Sequence, residues 1–419
     1  MLMKIKLLAA ALTAGLAMTT AAAAFAADEP EIPRKYVDAR ELRIINKAEY
    51  SGGPTERVYS RLPLWMKDSI AQGRELWDRQ QCSSGIGVRF ATNSRKIGVK
   101  YELFWDTHMI HMADTGLKGT DLYIFEGDSV WRHVNTNRPY VKKNADGNKT
   151  KVVESTYVER LDGKMHEYMI YLPLYDGVLD EFFVSVDSGA VITPGRPDLI
   201  DKGRRIVAYG TSILQGGCAS RTGMASSNII GRELNAEVIN LAFSGEGKMD
   251  TYMARALAQI PDVDLYLLDP VPNCTEKMCD TLTYNFVKIL REARPDVPIV
   301  MLEGPIYPYA RYDSMFHNYL PAKNAAYRKN YEKLKAENPD NLYYVTSDGL
   351  DGIEDDGTVD GIHLTDLGFR HYADKMIPVL GGILYEQEQK RLSGTYDLQR
   401  EPAKKAAPDK SKKKKSKKK

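Results

Sequence analysis

The stretch Arg205-Ile206-Val207-Ala208-Tyr209-Gly210-Thr211-Ser212-Ile213-Leu214-Gln215-Gly216-Gly217 decides the fold. It reads as a short apolar strand stopped by a glycine, followed by two hydroxyl residues and a glycine-bearing loop. A strand carries a side chain rigidly to a sheet edge, and glycine lets the backbone turn sharply there. A serine delivered in this way is presented as a nucleophile. The same pattern also makes plain turns in α/β proteins, so the reading needs a base. Asp360-Gly361-Ile362-His363 supplies one, between Gly357-Thr358-Val359 and the helical pattern starting at Asp366-Leu367-Gly368-Phe369. A serine hydroxyl needs an imidazole to take its proton. The imidazole needs a carboxylate to hold its tautomer and stabilise its cation. An Asp three residues before a His on one loop meets that need, in the chain order Ser, Asp, His.

The G-x-S-x-G elbow is absent, because Leu214 stands two residues after Ser212. This argues against an α/β-hydrolase. Two other apolar runs end in polar residues. Ala236 to Ile239 leads into Asn240-Leu241-Ala242-Phe243-Ser244-Gly245-Glu246-Gly247, and Leu265-Tyr266-Leu267-Leu268 leads into Asp269-Pro270-Val271-Pro272-Asn273. Each places a donor at a strand's end: the Gly245 backbone N–H and the Asn273 side-chain amide. An oxyanion hole is built from such donors, and losing one typically costs about 100-fold or more in rate. In open α/β sheets the site lies beyond the carboxyl ends of the strands, where all four elements fall.

The ordered set Ser212, Gly245, Asn273 and Asp360-x-x-His363 resembles the SGNH (GDSL-type) hydrolases, over roughly residues 200 to 390. Gly-Thr-Ser-Ile, Asn-Leu-Ala-Phe-Ser-Gly and Pro-Asn are similar to a subgroup with an N-terminal β-domain carrying a Gly-x-Asp-Leu-Tyr motif. Here that motif is Gly119-Thr120-Asp121-Leu122-Tyr123, which extends the resemblance over nearly the whole mature chain. Thr211 departs from the usual Gly-Asp-Ser, at a position outside the triad. The resemblance implies Ser212 as nucleophile, His363 as base and Asp360 as its orienting carboxylate. It implies an oxyanion hole from the N–H groups of Ser212 and Gly245 with the Asn273 amide, and no metal or organic cofactor. It further implies a carbohydrate esterase, removing acetyl groups from plant or bacterial polysaccharide. The rivals are a lipolytic esterase, thioesterase or lysophospholipase, and a non-catalytic carbohydrate-binding protein.

The chain opens Met1-Leu2-Met3-Lys4-Ile5-Lys6, then an apolar run from Leu7 to Phe25 and Ala24-Phe25-Ala26. A basic start, apolar middle and A-x-A end read as a secretory signal peptide over 1–26. A membrane anchor is the other reading; its run is Ala- and Thr-rich and is followed by Asp28-Glu29. The expected location is periplasmic or extracellular. The net charge of +2 is misleading. Ten Lys and one Asp lie in Pro402–Lys419, and Lys4 and Lys6 lie in the leader, so Ala27–Glu401 carries nine net negative charges. An acidic body argues against a nucleic-acid partner. The Lys-rich tail is low-complexity. It offers a tether to anionic polymers or membrane surfaces, or is simply solvated. Oligomeric state is not legible.

About 390 mature residues suggest two domains. From Val88 to Ala190 the pattern has period two: Ile97, Val99, Tyr101 and Leu103 alternate with Lys100 and Glu102, and Phe182, Val184 and Val186 with Phe183, Ser185 and Asp187. This predicts a β-sandwich or jelly roll over 27–197. Leu122 is expected in its core, and Asp121 either forms a turn or faces the cleft. Past Ile192-Thr193-Pro194-Gly195-Arg196-Pro197, strands alternate with helices, predicting a three-layer α/β/α, flavodoxin-like domain over 198–392, then a disordered tail over 393–419. His108-Met109-Ile110-His111 invites a metal, but zinc needs three or four ligands, and only Asp106 and Asp114 stand nearby. Cys82, Cys218, Cys274 and Cys279 allow three complete pairings. A Cys218–Cys274 bridge, which would brace the oxyanion hole, is favoured over a Cys274–Cys279 bridge or four free thiols.

Overall fold

The computed structural model describes residues 33–127, 129–199, 204–352 and 355–393. The leader over 1–26 and the Lys-rich segment Pro402–Lys419 lie outside the described residues.

Alternation builds the first half. One antiparallel sheet contains β1 (Arg34–Asp38), β4 (Ile97–Leu103), β7 (Val141–Lys143), β8 (Lys149–Val158) and β10 (Val178–Asp187), in the order β1-β10-β4-β8-β7. The other contains β2 (Arg43–Ile45), β3 (Gly87–Thr92), β5 (Asp121–Glu126), β6 (Val130–Thr136), β9 (His166–Tyr171) and β11 (Ile192–Pro194). Its order is β11-β3-β9-β5-β6, with β2 on β3. Two short helices, α1 (Leu76–Arg79) and α2 (Asp114–Leu117), interrupt the loops. The apolar phase of β4 meets that of β10 in register, Tyr101 opposite Phe182, Val99 opposite Val184 and Ile97 opposite Val186. These side chains share one core with Phe90, Leu122, Tyr168 and Ile170 from the other sheet.

The second half has a parallel sheet of β12 (Arg205–Gly210), β13 (Glu237–Ala242), β14 (Leu265–Asp269), β15 (Ile299–Leu302) and β16 (Leu342–Val345), in the order β13-β12-β14-β15-β16. The helices are α3 (Ser212–Gln215), α4 (Ser226–Leu234), α5 (Thr251–Ala258), α6 (Glu276–Ala293), α7 (Ser314–Glu337) and α8 (Asp366–Leu392). Successive strand residues face opposite ways. Ile206 and Ala208 pack with Ile229 of α4 and Phe369 of α8. Val207 and Tyr209 pack with Met253 of α5, Phe286 of α6 and Tyr327 of α7. Two helix layers therefore cover one sheet, which is why these strands read as unbroken apolar runs. The order is that of the flavodoxin-like doubly wound sheet, and its reversal point lies at β12. Ser212 follows β12 after a single residue, Thr211.

The N-terminal segment reaches across to this domain. Ala48, Tyr50, Leu62, Met66 and Leu76 pack into the face that holds Val207 and Met253. The buried Arg61 guanidinium donates to the carbonyls of Ala242 (2.7 Å) and Arg79 (2.7 Å) and lies over the Phe243 ring.

The favoured Cys218–Cys274 bridge is not formed; all four cysteines are buried free thiols. The sheet itself separates that pair. Cys218 packs on the face holding Ile206, and Cys274 on the face holding Val207. The Cys274 thiol instead donates to the Gly247 carbonyl at 3.8 Å.

At the end of β14, burial pushes the Asp269 carboxyl up to about 8, although the Tyr372 hydroxyl donates to it at 3.0 Å. Its folded value lies above its ordinary 3.8, so the folded state binds the proton more tightly. Stability should fall as pH rises from about 4 to about 8 and level off beyond. Asp269→Asn is expected to flatten that fall, measured by denaturant unfolding at pH 5 and pH 8. Equal falls in both proteins would contradict the assignment.

Candidate active site

Thr211 is extended and Ser212 opens α3, which stops after one turn at Gly216 (φ +107°). The left-handed conformation at that C-cap favours glycine. The Tyr175 hydroxyl, reaching over from the first half of the chain, donates to the Ser212 carbonyl at 3.1 Å and pins the short helix.

The Asp360-x-x-His363 loop is an Asx-type turn closed on itself. Asp360 Oδ1 accepts the N–H groups of His363 (2.8 Å) and Ile362 (3.0 Å), while Oδ2 faces His363 Nδ1 at 2.8 Å. Val359 N–H donates to the His363 carbonyl at 2.8 Å, and Thr365 N–H to Gly357 at 2.9 Å. Thr365 caps α8, accepting from Gly368 N–H at 3.3 Å, so the loop is anchored to a long helix. The outer ring nitrogen, His363 Nε2, lies 2.9 Å from Ser212 Oγ. Partial burial works to raise the Asp360 carboxyl, but the hydrogen bonds from the His363 ring and from two backbone N–H groups outweigh it and bring it down to about 2.

Gly245 (φ +73°) turns the chain after β13. That turn is held by Ser244 N–H on Gln215 Oε1 (2.8 Å) and by Arg74, which pairs with Glu246 and with Asp250 (2.9 Å). Asn273 ends a 3-10 turn after β14, and its Oδ1 accepts Gly247 N–H at 3.3 Å, which orients its amide. Among the described residues, no acceptor takes the Asn273 NH₂ or the backbone N–H of Ser212 or Gly245. The five residues singled out in the sequence thus sit on the loops that follow β12, β13, β14 and β16.

Two further contributions were not legible beforehand. His111, from the loop before α2, lies beside the site, its ring centroid 5.7 Å from that of His363. His108 turns instead to Asp114, 2.9 Å away. Asp121 neither forms a turn nor faces the cleft. Fully buried, it accepts from Arg221 Nη1 (2.7 Å), Gly223 N–H (2.8 Å) and Thr136 Oγ1 (2.6 Å). Tyr123 OH also accepts from Arg221 (2.7 Å), and the Arg232 guanidinium lies 4.3 Å from the Tyr123 ring centre. The Asp-Leu-Tyr motif therefore clamps the β-domain to the loop between α3 and α4, while Leu122 fills the sandwich core as expected. Breaking a buried ion pair leaves an uncompensated charge. Asp121→Ala is expected to cost about 3 kcal/mol, read as a lowered denaturation midpoint; an unchanged midpoint would refute the clamp.

A parallel 2-1-3-4-5 sheet with polar residues gathered at its reversal point defines the class, a flavodoxin-like hydrolase domain joined to a β-sandwich. Residues 203–381 match the GDSL-like lipase/acylhydrolase family, and residues 34–192 match the GxDLY N-terminus of SGNH-hydrolase-type esterases. A Bacteroides ovatus protein described as a GDSL-like lipase is 31% identical, with a TM-score of 0.76, the match covering 84% of this chain and 98% of that one. The salicylyl-acyltransferase SsfX3 of a tetracycline biosynthetic pathway shares the fold at 16% identity, with a TM-score of 0.62 over 86% of this chain and 98% of its own. No curated protein matches. The chain belongs to the SGNH (GDSL-type) family of ester hydrolases.

Proposed function

We propose that the protein is an exported serine esterase that removes acetyl groups from carbohydrate. The observation that carries this reading is the relay from Ser212 Oγ through His363 to Asp360, at 2.9 and 2.8 Å. Ser212 Oγ attacks the ester carbonyl while His363 Nε2 takes its proton. Asp360 holds the other ring nitrogen and stabilises the imidazolium. The carbonyl oxygen becomes an oxyanion between the N–H groups of Ser212 and Gly245 and the Asn273 amide. His363 returns the proton to the leaving sugar alcohol as the C–O bond breaks. Water, deprotonated by the same imidazole, then attacks the acyl-enzyme; acetate leaves and Ser212 recovers its proton.

The surroundings favour a polar, ring-shaped alcohol over a lipid. Tyr309 abuts the catalytic loop, since a Cβ at Gly361 would lie 3.2 Å from its ring. Tyr309 stacks on Tyr307 and meets Phe316 edge-on. Aromatic faces of this kind stack on the apolar faces of sugars. Export rests on the basic-apolar leader, and attachment to an anionic surface on the Lys-rich tail.

The test compares acetate release from acetylated xylan, an aryl acetate and a long-chain aryl ester. Acetate release with preference for the polysaccharide supports the reading. Preference for the long chain would favour the lipolytic rival. Asn273→Ala should lower kcat about 100- to 1000-fold with little change in KM; an unchanged kcat would remove Asn273 from the oxyanion hole.

A further inference from the structure

Among the described residues, His111, Cys218 and His363 bring two imidazoles and a thiol together from three separate segments. One ligand atom of each lies within 4.8 Å of the others. We propose that they form a site for a zinc-class divalent ion whose binding switches the esterase off. The proposal rests on the reading of His363 as the base.

The chemistry of the donors selects the ion. Imidazole and thiolate suit zinc and its borderline-soft neighbours, whereas magnesium and calcium take oxygen. Three protein ligands with a fourth position left to water is the pattern of open zinc sites. Zinc–nitrogen bonds of about 2.0 Å and zinc–sulfur bonds of about 2.3 Å place tetrahedral ligand atoms about 3.3 to 3.6 Å apart. From a spread of up to 4.8 Å, the three atoms must therefore close in by up to about 1.5 Å. His111 is exposed, while Cys218 is buried at 6% exposure, so the approach falls to the His111 side chain.

His363 is already prepared as a ligand. Its Nδ1 is held by Asp360 at 2.8 Å, the carboxylate–histidine arrangement that orients metal-binding imidazoles. That leaves Nε2 to face the ion. An ion there takes the lone pair that would accept the Ser212 proton, 2.9 Å away. On binding, the Cys218 thiol gives its proton to solvent and its sulfur lone pair to the metal. No oxidant or reductant is needed.

The test has two arms on the full-length protein stripped with a chelator. In the first, Zn²⁺ is titrated during aryl acetate hydrolysis, each variant being scaled to its own metal-free rate. Wild type should be inhibited by Zn²⁺ and not by Mg²⁺. His111→Ala and Cys218→Ser should each raise the half-inhibiting zinc concentration at least about tenfold. In the second, Co²⁺ is added to Ser212→Ala. A near-ultraviolet thiolate-to-cobalt band should appear, and should be missing when Cys218→Ser is added. Equal zinc sensitivity in all three active proteins, or no cobalt band in Ser212→Ala, would overturn the proposal. Because the cobalt arm needs no turnover, failure of the site and failure of the esterase reading are told apart.

Discussion

Ser212→Ala is expected to lower kcat by roughly a thousandfold at least and toward about a millionfold at most, the range set by knockouts of serine nucleophiles. Oγ is the only heavy atom lost, and the methyl side chain that remains fits the same 6% exposed position. The fold should therefore survive: Gly216, Tyr175 and β12 hold α3 without help from Ser212 Oγ. Residual activity would come from direct attack of water on an ester whose oxyanion the donors at Gly245 and Asn273 stabilise. KM should change little, since Ser212 contributes bond formation and not ground-state binding. Acetate release from an aryl acetate checks this directly. A kcat within tenfold of wild type would mean that another group attacks the ester.

Asp360→Asn has the second-largest expected effect, a loss of about 10³- to 10⁴-fold in kcat. An amide at position 360 can still accept the N–H groups of Ile362 and His363, so the loop should keep its shape. What changes is the charge and the proton count facing His363 Nδ1. An amide NH₂ turned toward that nitrogen favours the tautomer with hydrogen on Nε2, which cannot accept the Ser212 proton. The wild-type carboxyl, brought down to about 2, also sets a sign for stability. A group depressed on folding contributes above its ordinary value of 3.8 and loses that contribution only as pH falls through about 2. Between pH 4 and 9 Asp360 stays ionised, so any loss of activity in that window should come from another group. The kinetic comparison of Asp360→Asn with wild type, beside matched unfolding curves, checks both parts. Equal kcat would leave the carboxylate without a role in turnover.

The site's legibility followed the range of its contacts. Ser212 and the Asp360-x-x-His363 loop were readable because their geometry is local: a strand stopped by a glycine, and a side chain capping its own turn. The alternation of strands and helices past Pro197 likewise announced a parallel sheet, and the period-two pattern around β4 and β10 announced the sandwich. What was not readable depends on packing between distant segments. Nothing near Asp121 signals Arg221, 100 residues away. His111 stood out in the sequence only as half of a pair with His108, and the fold breaks that pair by turning His108 to Asp114. The Cys218–Cys274 bridge failed for a reason that spacing cannot show, since both residues lie close to site loops but on opposite faces of the sheet.

The most direct test of Ser212 as nucleophile is covalent trapping with a fluorophosphonate ester, followed by intact-mass and peptide analysis. One adduct per chain is expected, on the peptide containing Ser212. It should be absent in Ser212→Ala and formed at least about a hundredfold more slowly in His363→Ala, the range of general-base assistance. An adduct on another residue, or labelling of Ser212→Ala at the wild-type rate, would contradict the account.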